Sequence, residues 1–451
     1  MKTKTPICDF VAKYAEQKYA RFHMPGHKGK SVLGCEQLDI TEINGADSLY
    51  EAKGIIAESE KNATELFGTQ KTLYSTEGSS LCIRAMLYLI SNYSQNNGVK
   101  PLVLATRNAH KVFALTTALL NINVAWLQSE NASDTLCSAK ITPQGLENAL
   151  SQMPSPPTAV YVTSPDYLGN ILDIAGLAKV AHNHGTLLLV DNAHGAYLKF
   201  LDNNLHPIDN GADMCCDSAH KTLPALTGAA YLHIGKNAPH YFAENAKDAL
   251  AMFGSTSPSY LILQSLDKVN GLLFDGYGDN IRGAASRLAY NKRKIEQKGW
   301  IFAKTDEPLK LTIDARENGY LGTKLAKLLI DNKVMPEYYD NDFVVLMVSG
   351  ETGYEELNAL QNAFSIIPIK KKQARTPFNV PHKAKMSMKK ALSSLSEVIP
   401  VTEAEGRILA CPTVSCPPAV PILFGGELIT AEAVQAFTYY GIKEIKVIKP
   451  A

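Results

Sequence analysis

No apolar run in this chain approaches the roughly 20 residues that a membrane-spanning helix needs. The N-terminus, MKTKTPICDFVAKYAEQK, lacks the apolar stretch of a secretory signal. Both absences lead to the expectation of a cytoplasmic protein with no membrane partner. Charge of one sign is also missing: 45 Lys and Arg stand against 44 Asp and Glu, a net charge of +1. Without a broad positive field there is no basis for a nucleic-acid partner, and any anion must be bound locally. No internal repeat and no long low-complexity tract occurs, which sets repeat arrays aside.

The eight cysteines are scattered, and a long chain in a reducing compartment keeps them as thiols. Cys411 and Cys416 flank Pro-Thr-Val-Ser, but no second Cys/His pair lies nearby to complete a zinc clip. His23 and His27, in the turn RFHMPGHKGK, likewise lack a partnered carboxylate or cysteine, so no metal site is expected. That turn equally reads as an arm that packs on another subunit.

At 451 residues the chain suits one large domain and a smaller one. Its 45% hydrophobic and 20% charged content is that of a globular protein. We expect an N-terminal arm at 1–30, a large domain at 31–298 that includes a helical connector, and a C-terminal domain at 299–451. A helix is expected over Cys8 to Ala20, and another over Ile55 to Phe67, ending at Gly68. A long helical pattern follows at Leu81 to Asn92. From Pro101, apolar runs at 102–105, 123–127, 159–163 and 186–190 alternate with helical stretches at 111–120, 143–152 and 172–184. Such alternation argues for an α/β fold with a mostly parallel sheet and helices on both faces. The last third reads as α+β, with strands near 309–313 and 343–348, helices at 322–331 and 354–364, and a solvated basic run from Lys370. Asp340 and Asp342 read as loop carboxylates.

In sheets of this kind ligands sit beyond the carboxyl ends of the strands. Arg107-Asn-Ala-His110, Thr163-Ser-Pro-Asp-Tyr167 and Asp191-Asn-Ala-His194-Gly195 occupy such ends. Asp191 closes a buried run and is costly to desolvate unless a cation meets it, as a protonated pyridine nitrogen would. Upstream, Gly78-Ser79-Ser80 at a helix start offers free N–H groups and hydroxyls to a phosphate, or is an ordinary serine cap. Downstream, Asp217-Ser218-Ala219-His220-Lys221-Thr222 places a lysine on a loop between two strand-like runs. Lys221 reads either as a solvated lysine or as an amine that forms a Schiff base with an aldehyde. Taken in order, the three stretches form the constellation expected for pyridoxal 5'-phosphate. His110 would then lie over one ring face and the small Ala193 under the other.

These residues resemble the Orn/Lys/Arg decarboxylase family of fold-type-I pyridoxal-phosphate enzymes, in its short bacterial branch without an N-terminal wing domain. The matching stretches are RFHMPGHKGK (21–30), DITEINGADSLYEAKG (39–54), LFGT (66–69), RNAHK (107–111), TSPDYLGN (163–170), VDNAHGAY (190–197), DSAHKTLPALTGAA (217–230), STSPSYLILQSLD (255–267) and EAEGRILACPTVSCPPAVPILFGGE (403–427). The resemblance implies a fold-type-I large domain and a smaller C-terminal domain. It makes Lys221 the cofactor-bearing lysine, Asp191 the pyridinium partner and His110 the ring-stacking residue. It has Gly78, Ser79, Ser80, Ser218 and His220 hold the phosphate, and counts Ala193 and His194 among the cofactor contacts and His220 among the catalytic residues. Thr256 and Ser257 would reach the phosphate of the neighbouring subunit, implying a homodimer with shared sites; alternatively Ser257 caps a helix that starts at Pro258.

The implied reaction is decarboxylation of arginine, lysine or ornithine, feeding polyamine metabolism, with Lys221 or a nearby histidine as proton donor. Glu427, in a Gly-Gly-Glu turn, is the candidate for a cationic substrate end, or a turn carboxylate bonding backbone amides. The chain departs from the family pattern at Glu77, which brings a negative charge beside the phosphate site, at Gly228, and at Cys416, Ala419 and Gly425 in the tail. Two other readings accompany these departures: a different pyridoxal-phosphate reaction such as transamination, and a non-catalytic relative with a binding role.

Overall fold

The computed structural model describes residues 4–129, 135–376, 379–412 and 419–450. Its strands are β1 (Lys71–Ser75), β2 (Leu102–Thr106), β3 (Asn123–Leu127), β4 (Ala159–Thr163), β5 (Leu187–Asp191), β6 (Met214–Asp217), β7 (Ala230–Ile234), β8 (Lys310–Asp314), β9 (Tyr338–Tyr339), β10 (Phe343–Met347), β11 (Ser396–Pro400) and β12 (Glu444–Ile448). The chain divides into two compact units, Met1–Val99 with Ile174–Arg282 and Lys100–Asp173 with Gly283–Ala451.

In the first unit β5 and β6 pair in parallel, with Asp191 opposite Cys216. β7 runs antiparallel to β6, and β1 antiparallel to β7. Every residue of β6 and β7 is buried, as are the last four of β5, which is why these strands read as continuous apolar runs. The helix Ile55–Phe67 stops where expected: Gly68 takes φ +67° and returns its N–H to Thr64 O at 3.0 Å. The first helix is shorter than expected, Pro6–Glu16, with Ile7 and Val11 fully buried. Helix Gly78–Asn96 begins three residues earlier than the apolar pattern indicated, so the Gly-Ser-Ser stretch forms its first turn. The helix after the STSPSY segment starts later than expected, at Tyr260: Ser259, not Ser257, is the cap, accepting the Ile262 N–H at 3.4 Å.

In the second unit β2 pairs in parallel with both β3 and β4. A separate antiparallel sheet has the order β8-β10-β9, and β11 pairs with β12. β12 alternates: Ile445 and Val447 enter a core with Leu409, Leu423, Ile429 and Phe437, while Glu444 and Lys446 face solvent. Asp340 and Asp342 lie in the turn between β9 and β10, as expected, and both are buried. Asp340 Oδ1 accepts the N–H groups of Asp342 and Phe343 at 2.7 Å each, and Asp342 Oδ1 meets Arg316 Nε at 3.0 Å.

Candidate active site

β6 ends at Asp217, and the chain turns at once into a four-residue helical turn, Ala219–Thr222. Lys221 therefore sits on a helical turn and not on the open loop expected from sequence. Ala219 and Thr222 are buried, and the Lys221 N–H bonds Ser218 O at 3.0 Å. Half-buried Lys221 places Nζ 3.0 Å from Nε2 of His194, a buried residue three positions beyond the end of β5. At the next residue, Gly195, a Cβ would lie 2.0 Å from Asn192 Oδ1, so a side chain there would displace the Asn192 amide.

Asp191, at the end of β5, is 3% exposed. Its Oδ1 accepts the Ala193 N–H at 3.2 Å and the Cys216 thiol at 3.7 Å. Burial pushes the Cys216 thiol well up, with the Asp191 charge adding to the effect, so this sulfur stays protonated and donates.

Helix Gly78–Asn96 supplies the anion cup. Gly78 takes φ +70°, and a Cβ there would meet nothing within 4 Å, so the space over the helix start is open. The Ser218 hydroxyl donates to Ser79 Oγ at 2.8 Å, joining the lysine turn to this cup. Gly78 N–H donates to Gly228 O at 2.7 Å. Gly228 has φ +99°, and a Cβ would lie 2.7 Å from Thr76 O, which explains a glycine there. The His220 ring lies with Nδ1 3.0 Å from Ala229 O. Glu77 is exposed, and its Oε1 accepts the Ser255 N–H at 2.6 Å. Thr256 and Ser257 are exposed, with the Ser257 N–H on Ser255 Oγ at 3.1 Å.

The remaining sequence candidates lie in the second unit. His110 caps helix Lys111–Leu119, its Nδ1 accepting the Val112 N–H at 3.2 Å, and Lys111 N–H bonds Ala419 O at 2.9 Å. Glu427 is engaged on both oxygens by Arg107, at 3.0 and 2.9 Å, and Oε2 also accepts the Phe424 N–H at 2.8 Å. The carboxylate considered for a cationic substrate end thus serves as the counter-ion of a half-buried arginine and as a turn acceptor. The Arg107 guanidinium also lies 4.8 Å from the Trp126 ring and 4.9 Å from the Phe424 ring. Burial, and then Arg107, push nearby His382 down to about 4 against the pull of Glu427. Ala419, which stands where the family favours glycine, has φ +55°. Cys416 lies outside the described residues.

The first-unit residues fit pyridoxal phosphate: an amine beside an imidazole, a buried carboxylate at a strand end, and an open helix start flanked by hydroxyls. Sequence reading missed a cluster next to them. His206 Nε2 and His233 Nε2 both reach Asp217 Oδ2, at 2.9 and 3.1 Å, and Asn192 Nδ2 reaches Oδ1 at 2.7 Å. The histidines and Asp217 place three possible metal-ligand atoms within 4.8 Å of one another, although no metal site was expected. The one sequence signal was an acidic residue opening the lysine motif. Histidines in a loop and inside β7 gave none.

The Orn/Lys/Arg decarboxylase major-domain profile matches residues 5–312, and the C-terminal-domain profile of the same family matches residues 369–445. The arginine decarboxylase of Bacillus subtilis is 26% identical over 460 aligned residues, covering 95% of this chain and 92% of that protein. The arginine decarboxylase of Halalkalibacterium halodurans is 27% identical, covering 95% and 91%. The constitutive lysine decarboxylase of Escherichia coli shares the fold with a TM-score of 0.77 at 18% identity, over 99% of this chain and 82% of that one. Family profile, full-length relatives and fold agree with the lysine, carboxylate and anion cup of the first unit: the chain belongs to the Orn/Lys/Arg decarboxylase family of pyridoxal-phosphate-dependent enzymes.

Proposed function

We propose that this enzyme removes carbon dioxide from a basic amino acid and releases the corresponding amine for polyamine metabolism. Arginine is the first substrate to test, because four relatives matched over nine-tenths or more of their length carry the name arginine decarboxylase. The observation that carries the reading is the 3.0 Å approach of Lys221 Nζ to His194 Nε2, on the same unit as buried Asp191 and the Gly78 cup.

Bound pyridoxal phosphate supplies an electron sink for the pair released when the carboxylate leaves. Lys221 would hold the cofactor through Nζ, and His194 Nε2, 3.0 Å away, can take the proton that Nζ must lose to act as a nucleophile. Asp191 would keep a proton on the cofactor's ring nitrogen. Ser79, Ser80 and Ser218 would offer N–H and O–H donors to the phosphate and His220 its imidazole, while Gly78, whose own N–H is held by Gly228 O, leaves the space beside them open. His110 would stack on the cofactor ring, Ala193 would leave room for it, and Thr256 and Ser257 would serve the neighbouring subunit of a homodimer in the cytoplasm. Lys221 Nζ or a histidine beside it returns the proton to Cα.

The test is carbon dioxide release from arginine, lysine and ornithine supplied separately to the cofactor-loaded protein. Release from one of the three, lost in Lys221→Ala, supports the reading. Amine transfer or elimination without carbon dioxide would replace it with another reaction of the same cofactor.

A further inference from the structure

The Asp217 carboxylate is fully buried and is shared by three separate pieces of the first unit. Oδ1 accepts from Asn192, the residue immediately after Asp191. Oδ2 accepts from His233 in β7 and from His206 in the segment ahead of the short helix Pro207–Asn210. Asp217 itself directly precedes Ser218, and so leads into the turn that carries Lys221. The backbone ladder between β5 and β6 ends at Asp191 and Cys216, followed by one more bond from Asn192 N–H to Cys216 O at 3.0 Å. Beyond that point the Asn192–Asp217 side-chain bond joins the two strand ends.

We infer that Asp217 is a positioning residue that fixes the spacing between the strand end bearing Asp191 and the turn bearing Ser218 and Lys221. The inference rests on the cofactor reading above.

The cluster suits such a role because its donors and acceptor match. His233 Nδ1 lies 2.9 Å from Thr72 Oγ1, which lies 2.8 Å from Thr69 Oγ1. Hydroxyl donation from Thr69 to Thr72 and from Thr72 to His233 Nδ1 sets the tautomer that carries its proton on Nε2, toward Asp217. Burial keeps His233 neutral against the pull of Asp217. Burial alone would raise the Asp217 carboxyl, yet the two imidazoles outweigh it and hold the group well below the usual carboxylate range. The Phe67 ring, 4.5 Å from His233 and 5.6 Å from His206 between centroids, fixes both imidazoles from the apolar side. A carboxylate is the right acceptor here. An amide would turn an N–H toward at least one of the donors that converge on it.

The test is cofactor titration of wild type, Asp217→Asn, His233→Gln and Asn192→Ala, followed by visible absorbance, with thermal unfolding and metal content measured on the same samples. Asp217→Asn is expected to weaken cofactor binding about tenfold or more and to shift the absorbance of the bound form. Asn192→Ala is expected to weaken binding less, and His233→Gln, which keeps an N–H donor, to stay near wild type. If Asp217→Asn does not fold, Asn192→Ala decides: weakened binding per folded molecule supports the inference and unchanged binding overturns it. A lowered unfolding temperature with unchanged cofactor affinity and spectrum assigns Asp217 a purely structural role and also overturns it. Stoichiometric metal in purified wild type makes the trio a metal site and overturns it as well. A wild type that binds no cofactor sinks both this inference and the cofactor reading, whereas a binding wild type with an indifferent Asp217→Asn sinks the inference alone.

Discussion

Glu77 Oε1 accepts the backbone N–H of Ser255 at 2.6 Å, so the acidic residue that departs from the family pattern beside the anion cup is engaged by the segment leading to Thr256 and Ser257. Its charge still lies one residue from Gly78. Glu77→Gln keeps an acceptor for Ser255 and removes the charge. Cofactor affinity should rise by up to about fivefold at low salt, since two charges a few ångströms apart in water interact by ~1 kcal/mol, and the gain should shrink as salt is added. Titration at two ionic strengths checks this. An affinity that falls in Glu77→Gln would show that the charged Ser255 contact matters more than repulsion of the phosphate.

Arg107 and Glu427 form a two-bonded ion pair whose side chains are 17% and 5% exposed. Removing one partner strands the other in a low-dielectric setting, so Glu427→Ala should destabilise the protein by about 3 to 5 kcal/mol in urea unfolding. A variant with unchanged stability but a raised KM for one amino acid would return Glu427 to the role of substrate contact.

Ala419 occupies the left-handed region at φ +55°. An alanine there is strained by roughly 1 kcal/mol or more, and a glycine is not. Ala419→Gly should therefore stabilise the chain by ~1 kcal/mol, read as an increased urea midpoint at constant slope. A lowered midpoint would count against this backbone conformation.

Burial raises the Asp267 carboxyl to about 6, against hydrogen bonds from Ser59 and from the backbone of Cys8. The folded-state value lies above the unfolded one, so the stability contributed by this group is complete below pH ~4 and lost as pH rises through the folded value. Asp267→Asn should remove ~2 kcal/mol of this pH dependence in unfolding measurements made between pH 4 and 7. An unchanged slope would mean that Asp267 titrates normally.

Local signals in the chain led to much of this structure. The alternation of apolar runs and helical stretches located β2 to β5 within a residue or two, and Gly68 ended its helix as a left-handed cap. These features depend on neighbours in sequence, where periodicity and capping act. The shift of the helix cap from Ser257 to Ser259 is a local competition between equivalent serines that composition does not resolve. The Arg107–Glu427 pair, 320 residues apart in sequence, and the convergence of His206 and His233 on Asp217 depend on tertiary packing, and no local pattern reports them. Lys221 and Asp191 were legible because their chemistry is unusual for their setting. A lysine between buried strands and a carboxylate closing an apolar run both demand partners.

The most direct test of the account is borohydride reduction of the cofactor-loaded protein, then proteolysis and mass spectrometry to find the lysine that carries the phosphopyridoxyl group. The account predicts a single modified lysine, Lys221, and loss of both the modification and the visible absorbance band in Lys221→Ala. A label on another lysine, or a band that survives in Lys221→Ala, would contradict it.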